Sequence, residues 1–310
     1  MNRAQLVEHA RQSIVRGSKS FAMASRLFDG QTRERAWLLY GWCRRCDDIA
    51  DGQELGGTLS AVEDAPALLD MMRAQTQAAL RGYRTGDPAF DGLGIVAAET
   101  GLPHRFADDL IEGFALDAAG WRPQTTDDLM RYCYHVAGAV GCMMAVVMGV
   151  RPDDEAVLDR ACDLGLAFQL ANIARDVRED AEGGRCYIPA AWLAEAGMNA
   201  ETMMAPENRV RLAAIGKRLA MMATRYEASA RQGAAALPFR SAWAVLAAAG
   251  IYGGIAQEVA RLGASAWDQR IVTGKAAKLG WVIKAALQAV LHRGERRSLP
   301  PRPADLWRRP

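Results

Sequence analysis

Aromatic side chains are scarce, 7% of 310 residues, while half of the chain is hydrophobic and Ala, Leu, Arg and Met are abundant. That balance favours helix over strand. No run alternates apolar and polar residues as a half-buried strand would, and helical periodicity covers nearly the whole chain. A large charge excess is also missing. The net charge of +2 gives no concentrated basic face, which excludes a general nucleic-acid binder. Among six cysteines, Cys43 and Cys46 form the one C-x-x-C pair, and the second pair that a zinc or redox site needs is absent. Reduced thiols of a cytoplasmic protein are the expectation. The opening MNRAQLVEHARQ lacks the apolar stretch of a secretory signal, which points the same way.

No repeat and no dividing linker is visible, so residues 1–293 read as one all-α domain. The periodic segments predict helices over about 3–26, 31–51, 59–82, 87–100, 104–119, 126–150, 153–182, 206–232, 238–264 and 274–293. From Arg293 onward the chain holds six Arg and four Pro, so 294–310 is expected to be an extended, flexible, solvated tail. Residues 132–150 carry no formal charge over 19 positions, and 241–257 are similarly rich in Ala and Gly. Their length allows a membrane span, but a helix apolar all round equally suits the centre of a soluble bundle, which is the preferred reading. Gly92, Gly94 and Ala97 fit G-x-G-x-x-A, yet no hydrophobic strand precedes them, so no nicotinamide site is expected.

What the sequence does have is a pair of acidic rows. Asp176 and Asp180 lie four residues apart on a predicted helix, where like charges cost a few tenths of a kcal/mol. With about 100° per residue and Gln169 at zero, Asn172 falls at about 300°, Asp176 at about 340° and Asp180 at about 20°, one narrow polar stripe beside the apolar face. A divalent cation reverses the sign of that repulsion, and hard oxygen ligands suit Mg²⁺ or Mn²⁺ together with phosphate groups. The device recurs. Counted from Tyr40 at the same rotation per residue, Arg44 lies at about 40°, Asp47 at about 340° and Asp51 at about 20°, with Asp48 on the flank at about 80°. Two such helices facing across a cavity can grip a diphosphate and ionise an allylic one, with basic residues neutralising the leaving group and apolar walls excluding water.

With Ser18-Lys19-Ser20-Phe21, residues 40–51, residues 132–141, residues 169–180 and Gly184-Arg185-Cys186-Tyr187-Ile188-Pro189 in this order, the chain resembles the squalene/phytoene synthase family over almost its whole length, and within it the bacterial phytoene synthases of carotenoid biosynthesis. The resemblance implies a class I isoprenoid synthase fold, a single helical bundle around a central hydrophobic cavity. It implies a transferase that joins two geranylgeranyl diphosphates head to head through a cyclopropylcarbinyl diphosphate and ends by proton loss, without NADPH. By position, Asp47, Asp51, Asn172, Asp176 and Asp180 would hold the metal. Ser18, Lys19, Phe21, Tyr40, Arg44, Val136, Val140, Gln169, Asn172, Arg175, Tyr252 and Arg270 would meet substrate or its diphosphate, and Tyr132, Arg44, Arg175 and Tyr252 would act in catalysis. Peripheral contact with the inner face of the cell membrane and association with other carotenoid enzymes are further expectations of the resemblance. Where some relatives have His two residues before Lys19, this chain has Gly17. The alternatives are a C30 squalene or dehydrosqualene synthase, a head-to-tail elongase suggested by the literal D-D-x-x-D of Asp47, Asp48 and Asp51, and a non-catalytic membrane-associated scaffold.

Overall fold

The computed structural model describes residues 1–51, 65–291 and 299–310; the side chains of Lys19, Ser20 and Asp51 lie outside the described set, as do residues 59–64 of the third expected helix. Among the described residues there is no strand. The helices are α1 (Arg3–Gly17), α2 (Lys19–Ala24), α3 (Gly30–Asp51), α4 (Ala65–Leu80), α5 (Pro88–Thr100), α6 (His104–Ala118), α7 (Thr126–Cys133), α8 (Ala139–Val147), α9 (Glu155–Arg175), α10 (Val177–Glu182), α11 (Ala190–Glu195), α12 (Arg209–Gly233), α13 (Phe239–Leu262) and α14 (Lys275–Leu291).

Local chemistry sets many of these boundaries. Asn2 and Gln5 cap one another at the start of α1, and Thr125 and Asp128 do the same for α7. Asp87 caps α5 with Pro88 in its first turn, and Gly101 at φ 67° ends it. The first expected helix is interrupted at Ser18, whose extended backbone stops α1 while its hydroxyl caps α2 by accepting from the Phe21 amide at 3.3 Å. The expected helix over 126–150 contains one π turn, Tyr134–Gly138, between α7 and α8. The one over 153–182 steps at Asp176, between α9 and α10, and α11 follows Pro189 where the periodicity gives no helix.

Buried side chains from Leu6 to Leu306 form one contiguous cluster. α9 lies at its centre, packed by α8, α12 and α13. The α8–α9 approach depends on glycine. A Cβ on Gly141 would collide with the Ala161 carbonyl, and one on Gly165 with the Ala137 carbonyl. The two apolar stretches passing the length test for a membrane span, Thr126–Val147 and Phe239–Ser265, have more than half of their most apolar windows buried against neighbouring helices.

The tail departs from expectation. Residues 299–310 form no helix, but they are pinned to the bundle rather than solvated. Leu306 is buried, Arg302 reaches the buried Asp163, Arg160 donates to the Pro300 carbonyl at 2.6 Å, and the Trp307 ring donates to Asp127 at 2.8 Å. Composition favoured a free chain; the buried carboxylate on α9 needed a cation, and the tail supplies it. Residues 294–298 lie outside the described residues.

Candidate active site

Asp47 of the first acidic row and Asp176 and Asp180 of the second face one chamber of about 470 Å³. α3 contributes Tyr40, Arg44 and Asp47; α9 contributes Gln169, Asn172 and Arg175; Asp176 and Asp180 follow on the step and on α10. The row survives the step because the backbone keeps its four-residue rhythm there, with Asp176 N–H donating to the Asn172 carbonyl and Asp180 N–H to the Asp176 carbonyl, both at 2.8 Å. Leu110, Phe114, Val136, Val140 and Ile173 supply the apolar wall. Tyr132, Val136 and Val140 all reach this wall, across the π turn.

Each row carries its own guanidinium. Arg44 pairs with Asp47 and lies 3.3 Å from the buried Asp48, so Asp48 serves the helix rather than the chamber. Arg175 grips Asp176 through Nε at 2.7 Å and through a second, shorter contact. Asp180 is held differently. Burial, then the charge of Asp176, pushes its carboxyl up to about 7, against the opposing pull of Arg185. Burial also raises the Tyr40 phenol, with Arg44 opposing. Gly17 makes room for that phenol: a Cβ there would sit 2.5 Å from the Tyr40 hydroxyl. The residue that differs from some relatives is thus one that lets Tyr40 approach α1.

Several expected residues do not line the chamber. Ser18 spends its hydroxyl on the α2 cap. Phe21 packs on Tyr40, ring centroids 5.6 Å apart, and is not part of the lining. Tyr252 stacks on Phe168 at 4.1 Å and lies near Arg175 without entering the lining. Arg270 is half exposed and reaches the same site only from outside, 3.2 Å from Asp176. The Lys19 and Asp51 side chains lie outside the described residues.

The chamber also holds residues that the sequence reading gave no role: Asp117, Arg185, Tyr187 and Cys43. Asp117 had a legible signal. Leu110, Phe114 and Asp117 follow helical spacing on α6, so a carboxylate closes an apolar, core-facing stripe. Arg185 and Tyr187 belong to the Gly184–Pro189 stretch that follows the second acidic row.

The donors fit a divalent cation. Asp47, Asp176 and Asp180, with the amide oxygens of Gln169 and Asn172, are hard oxygen ligands on opposing walls, and the elevated Asp180 carboxyl marks a carboxylate in need of positive charge. Among the described residues no three His, Cys, Asp or Glu side chains already converge on one point. The set therefore suits metal shared with phosphate oxygens rather than a closed protein cage.

The fold and these opposed rows are those of a class I isoprenoid synthase, and the comparisons agree. Residues 14–277 match the family model for squalene/phytoene synthase. The chain belongs to the squalene/phytoene synthase family. It is 47% identical to the 15-cis-phytoene synthase of Pantoea ananas, covering all of both chains, and 48% identical to that of Enterobacter agglomerans over 95% of this chain and 99% of the relative. Among solved structures, a dehydrosqualene synthase bound to a ligand superposes with a TM-score of 0.81 at 25% identity, covering 91% of this chain and 96% of that one. A squalene synthase from Alicyclobacillus acidocaldarius gives 0.75 at 24%, covering 84% and 95%, which speaks to fold alone.

Proposed function

We propose that the chain is a prenyltransferase making phytoene, as the 15-cis isomer, from two geranylgeranyl diphosphates joined head to head through a cyclopropylcarbinyl diphosphate, the committed step toward carotenoids. The observation that carries this reading is that Asp47 from one helix and Asp176 and Asp180 from another segment, each side with its own arginine, line one chamber with apolar walls. The identity of 47% over the full length of the Pantoea ananas enzyme supports the C40 product.

Asp47, Asp176 and Asp180, with Gln169 and Asn172 beside them, would hold Mg²⁺, and Asp51 is the further candidate on α3. Bound there, the metal neutralises charge on the departing diphosphate. Arg44 and Arg175 give forked donors to diphosphate oxygens, and Tyr40 donates a hydrogen bond to the same group. Val136, Val140, Leu110, Phe114 and Ile173 keep water from the carbocation, with Tyr132 beside them on the lining. No chemistry in this scheme uses NADPH.

An apolar substrate and product favour work at the inner face of the cell membrane. The exposed stripe of Leu279, Ile283, Leu287 and Leu291 on α14 supports a peripheral contact there.

The test incubates purified protein with geranylgeranyl diphosphate and Mg²⁺, with and without NADPH. A phosphate-free C40 hydrocarbon that forms without reductant is the expected product. A longer diphosphate would instead indicate an elongase, a C30 hydrocarbon made from farnesyl diphosphate in preference would indicate a dehydrosqualene synthase, and no diphosphate release would indicate a scaffold.

A further inference from the structure

On the chamber lining, near the Asp180 end of the second acidic row, one carboxylate holds two phenols. Asp117 Oδ2 accepts from the Tyr132 hydroxyl at 3.0 Å and Oδ1 from the Tyr187 hydroxyl at 2.9 Å. The two rings stack with centroids 4.8 Å apart and planes 17° from parallel, and Trp121 backs Tyr132 at 5.7 Å. Three residues from three separate segments thus meet on the chamber lining, Asp117 from α6, Tyr132 from α7 and Tyr187 from the loop before α11.

We propose that Asp117, acting through the phenol of Tyr132, takes up the proton whose loss ends the reaction. This rests on the function proposed above, in which the last carbocation is quenched by proton loss. The hydrogen-bond directions decide the chemistry. Each phenol spends its single proton on the carboxylate, which leaves oxygen lone pairs as its remaining polar surface. In the final step the C–H bond beside the cationic carbon breaks and its electron pair becomes the new C=C bond. The proton goes to the Tyr132 oxygen while the phenol's own proton passes to Asp117 Oδ2. Tyr132 ends neutral and Asp117 ends as a carboxylic acid, to be reset by solvent after product leaves.

The interposed phenol has a reason. A carboxylate presented directly to a carbocation would attack it and form an ester; a neutral phenol is the weaker nucleophile and still relays a proton. Burial and the neighbouring Asp117 charge push the Tyr132 phenol well above its ordinary range, which keeps it a neutral relay rather than a phenolate. Tyr187 holds the second oxygen of Asp117, which fixes the carboxylate in place on the lining and leaves Oδ2 directed at the Tyr132 phenol.

The experiment compares Asp117→Asn, Asp117→Glu and Tyr132→Phe with the unaltered enzyme on geranylgeranyl diphosphate and Mg²⁺. It follows substrate conversion to the cyclopropylcarbinyl diphosphate separately from the ratio of C40 alkene to C40 alcohol formed by water capture. Asp117→Asn keeps the shape and one acceptor but is a far weaker base. The expected result is early conversion within about 3-fold of the unaltered enzyme while the alkene fraction falls by about 10²-fold, the scale of a lost general base. Asp117→Glu restores most of the alkene, and Tyr132→Phe shifts the ratio in the same direction as Asp117→Asn. An unchanged alkene-to-alcohol ratio, or equal loss in both half-reactions with circular dichroism intact, overturns the assignment and leaves Asp117 as a support for the wall. Failure of the unaltered enzyme to make any C40 hydrocarbon would instead overturn the function on which it rests.

Discussion

Arg302 clasps the fully buried Asp163 with two nitrogens of its guanidinium, Nε to Oδ2 at 2.9 Å and Nη2 to Oδ1 at 2.7 Å. Asp163 sits on α9, N-terminal to the residues that line the chamber, and also accepts from Ser229 of α12. Removing one partner of a buried pair leaves an uncompensated charge, which costs about 3–5 kcal/mol. Arg302→Ala should therefore lower unfolding free energy by that order in urea titration, and an unchanged midpoint would show the clasp to be incidental.

Loss of one ligand from either acidic row should disable the chemistry without unfolding the helices. Asp47→Asn and Asp176→Asn are each expected to cut diphosphate release by about 10² or more. Stopped assays for pyrophosphate, with far-ultraviolet circular dichroism as the control for folding, check this. Full turnover in both variants would refute the metal assignment.

The position of Asp180 sets a pH signature. Its carboxyl is pushed up to about 7 from an unfolded value near 3.8, so between these values the folded state binds more protons than the unfolded one and stability falls as pH rises. Above about 7 the group is ionised in both states and the penalty is constant. Added Mg²⁺ offsets that penalty, so it should raise the melting temperature more at about pH 8 than at about pH 5.5. Asp180→Asn should flatten both trends, and a metal effect independent of pH would count against Asp180 as a ligand.

Helix α9 tolerates no side chain where it meets the π turn. Gly165→Ala drives a methyl into the Ala137 carbonyl, and overpacking of this kind costs about 1–3 kcal/mol. Gly280, on exposed α14 with open space around its Cα, is the control. Gly280→Ala should stabilise by about 0.5–1 kcal/mol by reducing backbone freedom. Equal effects at the two sites in chemical denaturation would show that the close approach is not limiting.

A peripheral membrane contact through α14 is tested by sedimentation with anionic vesicles. Ile283→Asp combined with Leu287→Asp should weaken binding by about 10-fold or more, since each apolar side chain contributes ~1.5–3 kcal/mol on burial. Equal sedimentation of the double variant would place any contact elsewhere.

Much of this site is readable from the sequence because the acidic rows break a local rule. Like charges four residues apart are unfavourable on a helix, and two rows sharing that defect beside an apolar face lead to the expectation of a cation between them. The fold is readable from periodicity for the same reason that helices report their own spacing. The tail is not. Arg and Pro read as solvated chain, and the partner that orders them, Asp163, is an ordinary acid in the sequence until its burial is known. The step at Asp176 carries no Gly or Pro to announce it. Ser18 and Phe21 belong to the Ser18–Phe21 motif, yet their side chains are occupied by a helix cap and a ring contact with Tyr40. Asp117 is legible in principle, as a charge at the end of a core-facing stripe, and escapes notice because it stands alone.

The π turn over Tyr134–Gly138 holds one residue more than an ordinary helical turn, and that surplus absorbs what would otherwise be a rotation of about 100° in everything downstream. Val140 and Gly141 keep their headings because of it. A lineage could trim one residue at this spot and recover a plain helix in which both neighbours still face the same way, altering the cavity by a single side chain. The bundle thus contains a place where length can change while register does not, and the shape of the space for the growing hydrocarbon is open to revision there.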